Sequence, residues 1–212
     1  MTQDNHYSFK PSSHPIQIPT PILSLFPHFQ EKSFPILEQN MPSTLTESKR
    51  IAVCFSGGPA PGGHDVVCAI ASMCFPLHEL WGVNGGLGGL LKGDLSPLTK
   101  DACDSFLHKG GFDLLGTDRT KLTTQKHFDR VRHHINEHKL DALIIIGGDD
   151  SHTNAVHLAH ACLDRNCSIV GVPKTIDGDL QYPPFLPISF GFHSACDLYA
   201  NLVKNLILET KK

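Results

Sequence analysis

The stretch Asp141-Ala142-Leu143-Ile144-Ile145-Ile146-Gly147-Gly148-Asp149-Asp150-Ser151 decides the fold. Five consecutive apolar residues between an aspartate and a glycine are too few for a core helix. Their β-branched content suits a strand buried on both faces, the environment of a parallel sheet. Two other runs share the pattern. Arg50-Ile51-Ala52-Val53-Cys54-Phe55 precedes Ser56-Gly57-Gly58-Pro59-Ala60-Pro61-Gly62-Gly63, and Ser168-Ile169-Val170-Gly171-Val172 precedes Pro173-Lys174-Thr175-Ile176-Asp177-Gly178-Asp179. Leu80-Trp81-Gly82-Val83 reads as a shorter strand leading into a glycine-rich stretch, Asn84 to Gly93.

Helical patterns fill the intervals. Val66 to Phe75 continues as a helix after the first glycine loop. Ser96 or Thr99 is positioned to cap a helix running through Phe106 and Leu107 and ended by Gly110-Gly111. Phe128, Val131 and Ile135 make an amphipathic stripe, and a further helix passes through Ala155, Ala159 and Leu163. Ala195, Leu198, Tyr199, Leu202, Val203 and Leu206 form the face of a last helix, with no later element to cover it. Strand–helix alternation predicts right-handed crossovers and a doubly wound, mostly parallel α/β sheet with helices on both faces.

Composition narrows the function. With 40% hydrophobic residues the chain has material for a core, and a net charge of −3 gives no electrostatic case for nucleic acid or an anionic membrane. Seven cysteines, an odd number with no CxxC pair, read as reduced core thiols of a cytoplasmic protein rather than as a disulfide framework. No apolar run approaches the ~20 residues of a membrane helix, and the first residues carry no signal-peptide core. The 14 histidines raise the question of a metal site. His133 and His134 are adjacent on a predicted helix, which predicts that they point apart.

Seven of the 15 prolines fall in the first 42 residues. Residues 1–48 therefore read as an irregular N-terminal arm, and 49–212 as the α/β lobe. The arm's Leu23, Leu25, Phe26, Phe29 and Phe34 are too apolar for a free linker and predict packing within a larger assembly.

Ligands of an open parallel sheet bind beyond the carboxyl ends of its strands, so the three polar-glycine loops are expected to converge on one crevice. The Gly57–Gly58 loop and the helix after it offer backbone N–H groups to a phosphate. Asp149 and Asp150 repel one another, which suits a metal ion or a negative-charge filter. Lys174, Asp177 and Asp179 bring a cation, a base and a second acid to one loop, the equipment of phosphoryl transfer.

Together these loops, with Gly110-Gly111-Phe112-Asp113-Leu114-Leu115-Gly116 and Ser189-Phe190-Gly191-Phe192, resemble the phosphofructokinase family, in particular its long pyrophosphate-dependent branch. The resemblance runs from about Ile51 to the end. It implies reversible, glycolytic phosphoryl transfer from Mg-pyrophosphate to the 1-hydroxyl of fructose 6-phosphate. Gly57 and Gly58 would line the pyrophosphate loop, and Asp149 would hold Mg²⁺ with Asp179 a further carboxylate near it. Thr175, Ile176 and Asp177 would face the sugar hydroxyl, with Asp177 as proton acceptor. Asp150 and Lys174 stand where ATP-using relatives carry glycine, which makes them the donor filter, with Lys174 also neutralising charge on the transferring group. The resemblance is too loose around Arg119 and Lys121 to give either a phosphate contact, and His193 stands where this branch often has aspartate.

Family members continue into a segment with Met-Gly-Arg and further arginines that clamp the sugar. The expectation is therefore of a pyrophosphate-binding lobe without its sugar lobe, completed by a homo-oligomer or a partner chain. Two alternatives stay open from the sequence: a non-catalytic pyrophosphate-binding subunit, and another kinase with a Gly-Gly-Asp strand end, such as an NAD kinase or a lipid kinase.

Overall fold

The computed structural model describes residues 6–11, 24–25, 35–40, 47–180, 186 and 188–211. The chain falls into two compact units, Met1–Glu47 and Ser48–Lys212. The first was expected to be irregular. It instead contains an antiparallel pair, β1 (His6–Pro11) and β2 (Pro35–Asn40), in register from His6 opposite Asn40 to Pro11 opposite Pro35. Tyr7 and Phe9 alternate with polar neighbours, the period-two signal of a strand, and the prolines fall only at the ends of the pairing. Leu23, Phe26, Phe29 and Phe34 lie outside the described residues.

The second unit is built on a six-stranded sheet. Its strands are β3 (Arg50–Ser56), β4 (Glu79–Val83), β5 (Leu95–Pro97), β6 (Ala142–Gly147), β7 (Ser168–Thr175) and β8 (Phe190–Gly191), in the order β5-β4-β3-β6-β7-β8. Every pairing is parallel except that of β5 with β4. The helices are α1 (Gly63–Cys74), α2 (Gly86–Lys92), α3 (Lys100–Asp104), α4 (Gln125–Glu137), α5 (Asp149–Ala161) and α6 (Phe192–Thr210).

Alternation along β3 sorts two cores. Ala52 and Cys54 pack with Leu87, Leu90, Val131, Ile135 and Leu158 on one face. Val53 and Phe55 pack with Val67, Ala71, Cys103, Phe112 and Leu115 on the other. Both faces of the sheet are therefore covered, as the unbroken apolar runs of β3 and β6 require. All seven cysteines are free and five are buried. Burial pushes the Cys103 thiol up to about 11 and Cys167 to about 12, which keeps both unreactive.

Two helices differ from expectation. Thr99 caps α3, accepting from Ala102 N, but the helix stops at Asp104. Phe106, Leu107 and Lys109 then donate to residues three positions back, because the Phe106 ring turns inward against His64 (centroids 4.9 Å apart). The glycine-rich stretch after β4 holds α2, whose buried Leu87 and Leu90 lie one turn apart. On α6, Leu198, Tyr199, Leu202, Val203 and Leu206 are each at least half exposed, the uncovered face that the sequence predicts. Among the described residues no helix is long and apolar enough to cross a membrane.

His64 is fully buried and fixes the loop leading to the site. Its Nε2 accepts from Leu114 N (3.2 Å), so its Nδ1 carries the proton and donates to Lys109 O (2.9 Å). Removing the ring leaves both backbone groups unsatisfied at about 1–3 kcal/mol each. His64→Ala is thus expected to lower the melting temperature by more than about 5 °C, since ~1 kcal/mol shifts a domain of this size by about 2–4 °C. A thermal unfolding curve within about 2 °C of the unsubstituted chain would contradict this bonding role.

Candidate active site

Three adjacent strands end in one row. Ser56 of β3 pairs with Gly147 of β6, and Gly147 with Pro173 of β7, so the loops after them open on the same edge of the sheet. They line a cleft of about 520 Å³ with Gly57 and Gly58 on one side, Gly148 to Ser151 in the middle, and Lys174, Ile176 and Asp177 on the other. A smaller depression of about 180 Å³ is lined by Asp149, Lys174, Thr175, Ile176, Asp177 and Asp179. The expected convergence is present.

The first turn of α5 carries Asp149 and Asp150 at its start, where the helix dipole favours negative charge. Ser151, the next residue, is buried and donates to Ser56 Oγ (2.9 Å), locking this turn onto the end of β3. The two carboxylates then separate. Asp150 lies 3.0 Å from Lys121 Nζ, whereas Asp149 lines both cavities with Asp177.

The β7 loop is organised by Thr175. This buried hydroxyl donates to Asp179 Oδ1 (2.5 Å) and accepts from Asp177 N (3.1 Å). The hydroxyl proton and one lone pair are thus used within the loop, so Thr175 shapes the wall of the smaller depression, while Ile176 is 56% exposed at the rim. Lys174 is buried, and its ammonium makes no hydrogen bond among the described residues. Loss of hydration lowers its pKa, opposed by Asp177 and Asp149 and reinforced by Arg119.

The glycine loop differs from expectation in two respects. The Gly57 N–H already donates to Asp118 O (2.8 Å), and Thr117 Oγ1 donates to Gly57 O (2.8 Å). Gly58 N makes no such bond among the described residues, and Gly58 lines the cleft. The helix start at Gly62–Gly63 does not line the cleft. A Cβ on Gly62 would lie 2.9 Å from Ser194 Oγ, so that end packs against α6, and the helix terminus at the cleft belongs to α5.

Arg119, Thr120 and Lys121 also line the cleft, on a loop that no periodicity announces. Asn154 ties this loop to α5, accepting from Leu122 N (2.8 Å) and donating to Asp150 O (2.9 Å). The signal available in the sequence was two cations between the Gly116 turn and the Thr124 cap. His193, at the position of the branch's aspartate, contacts Ser189 O through Nδ1 (3.1 Å).

The carboxylates do not form a ready-made metal cage. Among the described residues only His133, His134 and Glu137 gather ligand atoms within 4.8 Å, on α4. This corrects the expectation that the two histidines diverge: His134 Nδ1 and His133 Nε2 lie 3.1 Å and 3.7 Å from the same Glu137 oxygen. Lys92 and Arg130 line the depression beside them, which opposes a bound cation. Asp149 and Asp179 suit a hard cation that keeps waters and takes the rest of its ligands from phosphate, the habit of Mg²⁺.

Such a fold and cleft define a doubly wound α/β protein with three cations and three carboxylates gathered at one strand-end cleft. The chain belongs to the phosphofructokinase family, whose model matches residues 50–211. It is 35% identical over 200 residues to pyrophosphate–fructose 6-phosphate 1-phosphotransferase subunit beta 2 of Arabidopsis thaliana, covering 91% of this chain and 35% of that one. It is 42% identical over 162 residues to the Entamoeba histolytica protein of the same enzyme name, covering 74% of this chain and 30% of that one. Among solved structures, phosphofructokinase from Saccharomyces cerevisiae matches with a TM-score of 0.63 at 26% identity, over 77% of this chain and 24% of that one. The chain spans about a third of the length of these curated relatives.

Proposed function

We propose that this chain is the pyrophosphate-binding part of a pyrophosphate-dependent 6-phosphofructokinase, which moves a phosphoryl group from Mg-pyrophosphate to the 1-hydroxyl of fructose 6-phosphate. The observation that carries the reading is the pairing of Asp150 with Lys121 beside a cleft that also holds Lys174, Asp149 and Asp177. A small, doubly charged donor fits between these cations, while a nucleotide would meet the Asp150 carboxylate. The enzyme name shared by relatives at 35–42% identity supports the same donor.

In this reading Lys174, Arg119 and Lys121 hold and neutralise the pyrophosphate, with the Gly58 N–H as a backbone donor. Asp177 accepts the 1-hydroxyl proton as the sugar oxygen forms its bond to phosphorus and the bridging P–O bond breaks in line, giving fructose 1,6-bisphosphate and phosphate. Asp149 and Asp179 would hold Mg²⁺, which supplies charge neutralisation on the phosphate oxygens when bound. In this reading the transfer runs in both directions without a nucleotide. The name "subunit" carried by the Arabidopsis relative supports an assembly, homo-oligomeric or with a second chain.

Completed by the oligomer or partner chain that supplies the sugar-binding part, the chain is expected to yield fructose 1,6-bisphosphate from fructose 6-phosphate, Mg²⁺ and pyrophosphate in a coupled assay, and none with ATP. Comparable turnover with ATP overturns the donor assignment. Absence of turnover with pyrophosphate binding retained in calorimetry would favour the non-catalytic subunit.

A further inference from the structure

We propose that Asp118, which does not line the cleft, is the positioning residue that sets Arg119 and Lys121 at its wall. The inference rests on the proposed pyrophosphate reading. Asp118 bonds to three pieces of chain at once. Its Oδ2 accepts from Gly88 N (3.0 Å), in the first turn of α2, and from the Thr120 hydroxyl. Its Oδ1 accepts from Thr120 N (3.3 Å), and its carbonyl accepts from Gly57 N (2.8 Å). The carboxylate thus holds a tight turn across Arg119, and the backbone ties that turn to the glycine loop opposite.

The neighbouring helix is shaped to receive it. A Cβ on Gly88 would lie 2.2 Å from Asp118 Oδ2, and one on Gly86 would lie 2.5 Å from Oδ1. The absence of side chains at these positions therefore makes the seat for the carboxylate. Arg119 lies within the turn and Lys121 directly after it, and both line the cleft with Thr120. Two cations on an unfixed loop would serve an anion poorly, since binding would have to order the backbone as well as each long side chain. Fixing the backbone beforehand removes the first of these costs.

Charge alone predicts the opposite sign. A carboxylate next to an anion site repels its ligand, so deleting it raises affinity if Asp118 acts only through its field. Positioning predicts a loss. Calorimetry with pyrophosphate and Mg²⁺ on the full chain separates the two, with melting temperatures recorded in parallel. Asp118→Ala is expected to weaken binding by about tenfold or more, and Asp118→Asn, which keeps one acceptor oxygen, by an intermediate factor. Gly88→Ala changes no charge and favours the helix, yet it fills the seat of Oδ2 and is expected to weaken binding as well.

In an Arg119→Ala background the added loss from Asp118→Ala should fall well short of its effect in the unsubstituted chain, because the two residues act through one contact. Unchanged or tighter binding by Asp118→Ala overturns the proposal, as does a loss that multiplies fully with Arg119→Ala. If the unsubstituted chain binds no pyrophosphate, this proposal and the proposed function fall together. If it binds and Asp118→Ala binds equally well, only the positioning role is lost.

Discussion

Asp177→Ala is expected to lower kcat by about 10²–10⁴-fold, the range for loss of a general base, while leaving the KM for pyrophosphate within a few fold. The selectivity follows from how the loop is held. Its turn is fixed by the Thr175 hydroxyl, which receives the Asp177 N–H and donates to Asp179. The Asp177 carboxylate takes no part in those bonds and is exposed to both cavities. Its removal should leave the β7 end in place, with a melting temperature close to that of the unsubstituted chain. A second consequence works in the same direction. Asp177 supports the charged form of Lys174 against the cost of burial, so without it the ammonium is less favoured. Steady-state kinetics and a thermal curve on the same preparation test the claim. Near-normal turnover sinks the assignment of Asp177 as base, and lost turnover with a collapsed melting temperature would make it structural instead.

What the sequence made legible follows from how each element announces itself. The β3, β6 and β7 runs are apolar on both faces because both faces are covered, and their strand ends carry the loops that meet in the cleft. Parallel topology then places three loops together without any knowledge of side-chain contacts. Other parts of the chain carry no such signal. Helix α2 is concealed because the glycines that admit Asp118 also remove the usual helical periodicity. Strands β5 and β8 have three and two residues, too short for an alternation to register. Arg119 and Lys121 lie in a loop whose shape is set by Asp118 and Asn154, contacts spanning about 30 residues of sequence. A glycine loop before α1 makes the start of that helix the expected anion-facing end. The Ser56–Ser151 bond turns the start of α5 to the cleft instead.

Replacing Asp150 and Lys174 together by glycine is expected to give the chain a measurable affinity for ATP, at least about tenfold above that of the unsubstituted protein. Asp150 sits at the boundary between the main cleft and an adjoining depression of about 390 Å³ lined by Leu122, Phe128, Thr153 and His157. Its bridge to Lys121 stands at that boundary, and both side chains are more than half exposed, so the bridge itself contributes little to stability. Its effect on a nucleotide is larger. A carboxylate about 4 Å from an α-phosphate costs between ~1 kcal/mol in water and ~4 kcal/mol near a protein surface, and 1.4 kcal/mol is already tenfold in affinity. Asp150→Gly removes that repulsion. Lys174→Gly removes a buried stem from the cleft wall, which gives the longer triphosphate room. Pyrophosphate should respond in the opposite sense to the second change, because it loses a cation and gains nothing from the space. Calorimetry with each donor on the two single variants and the double variant apportions the effect. If ATP affinity is unchanged in the double variant while pyrophosphate still binds, donor choice is made elsewhere in the cleft, and the Asp150–Lys121 boundary is not the filter.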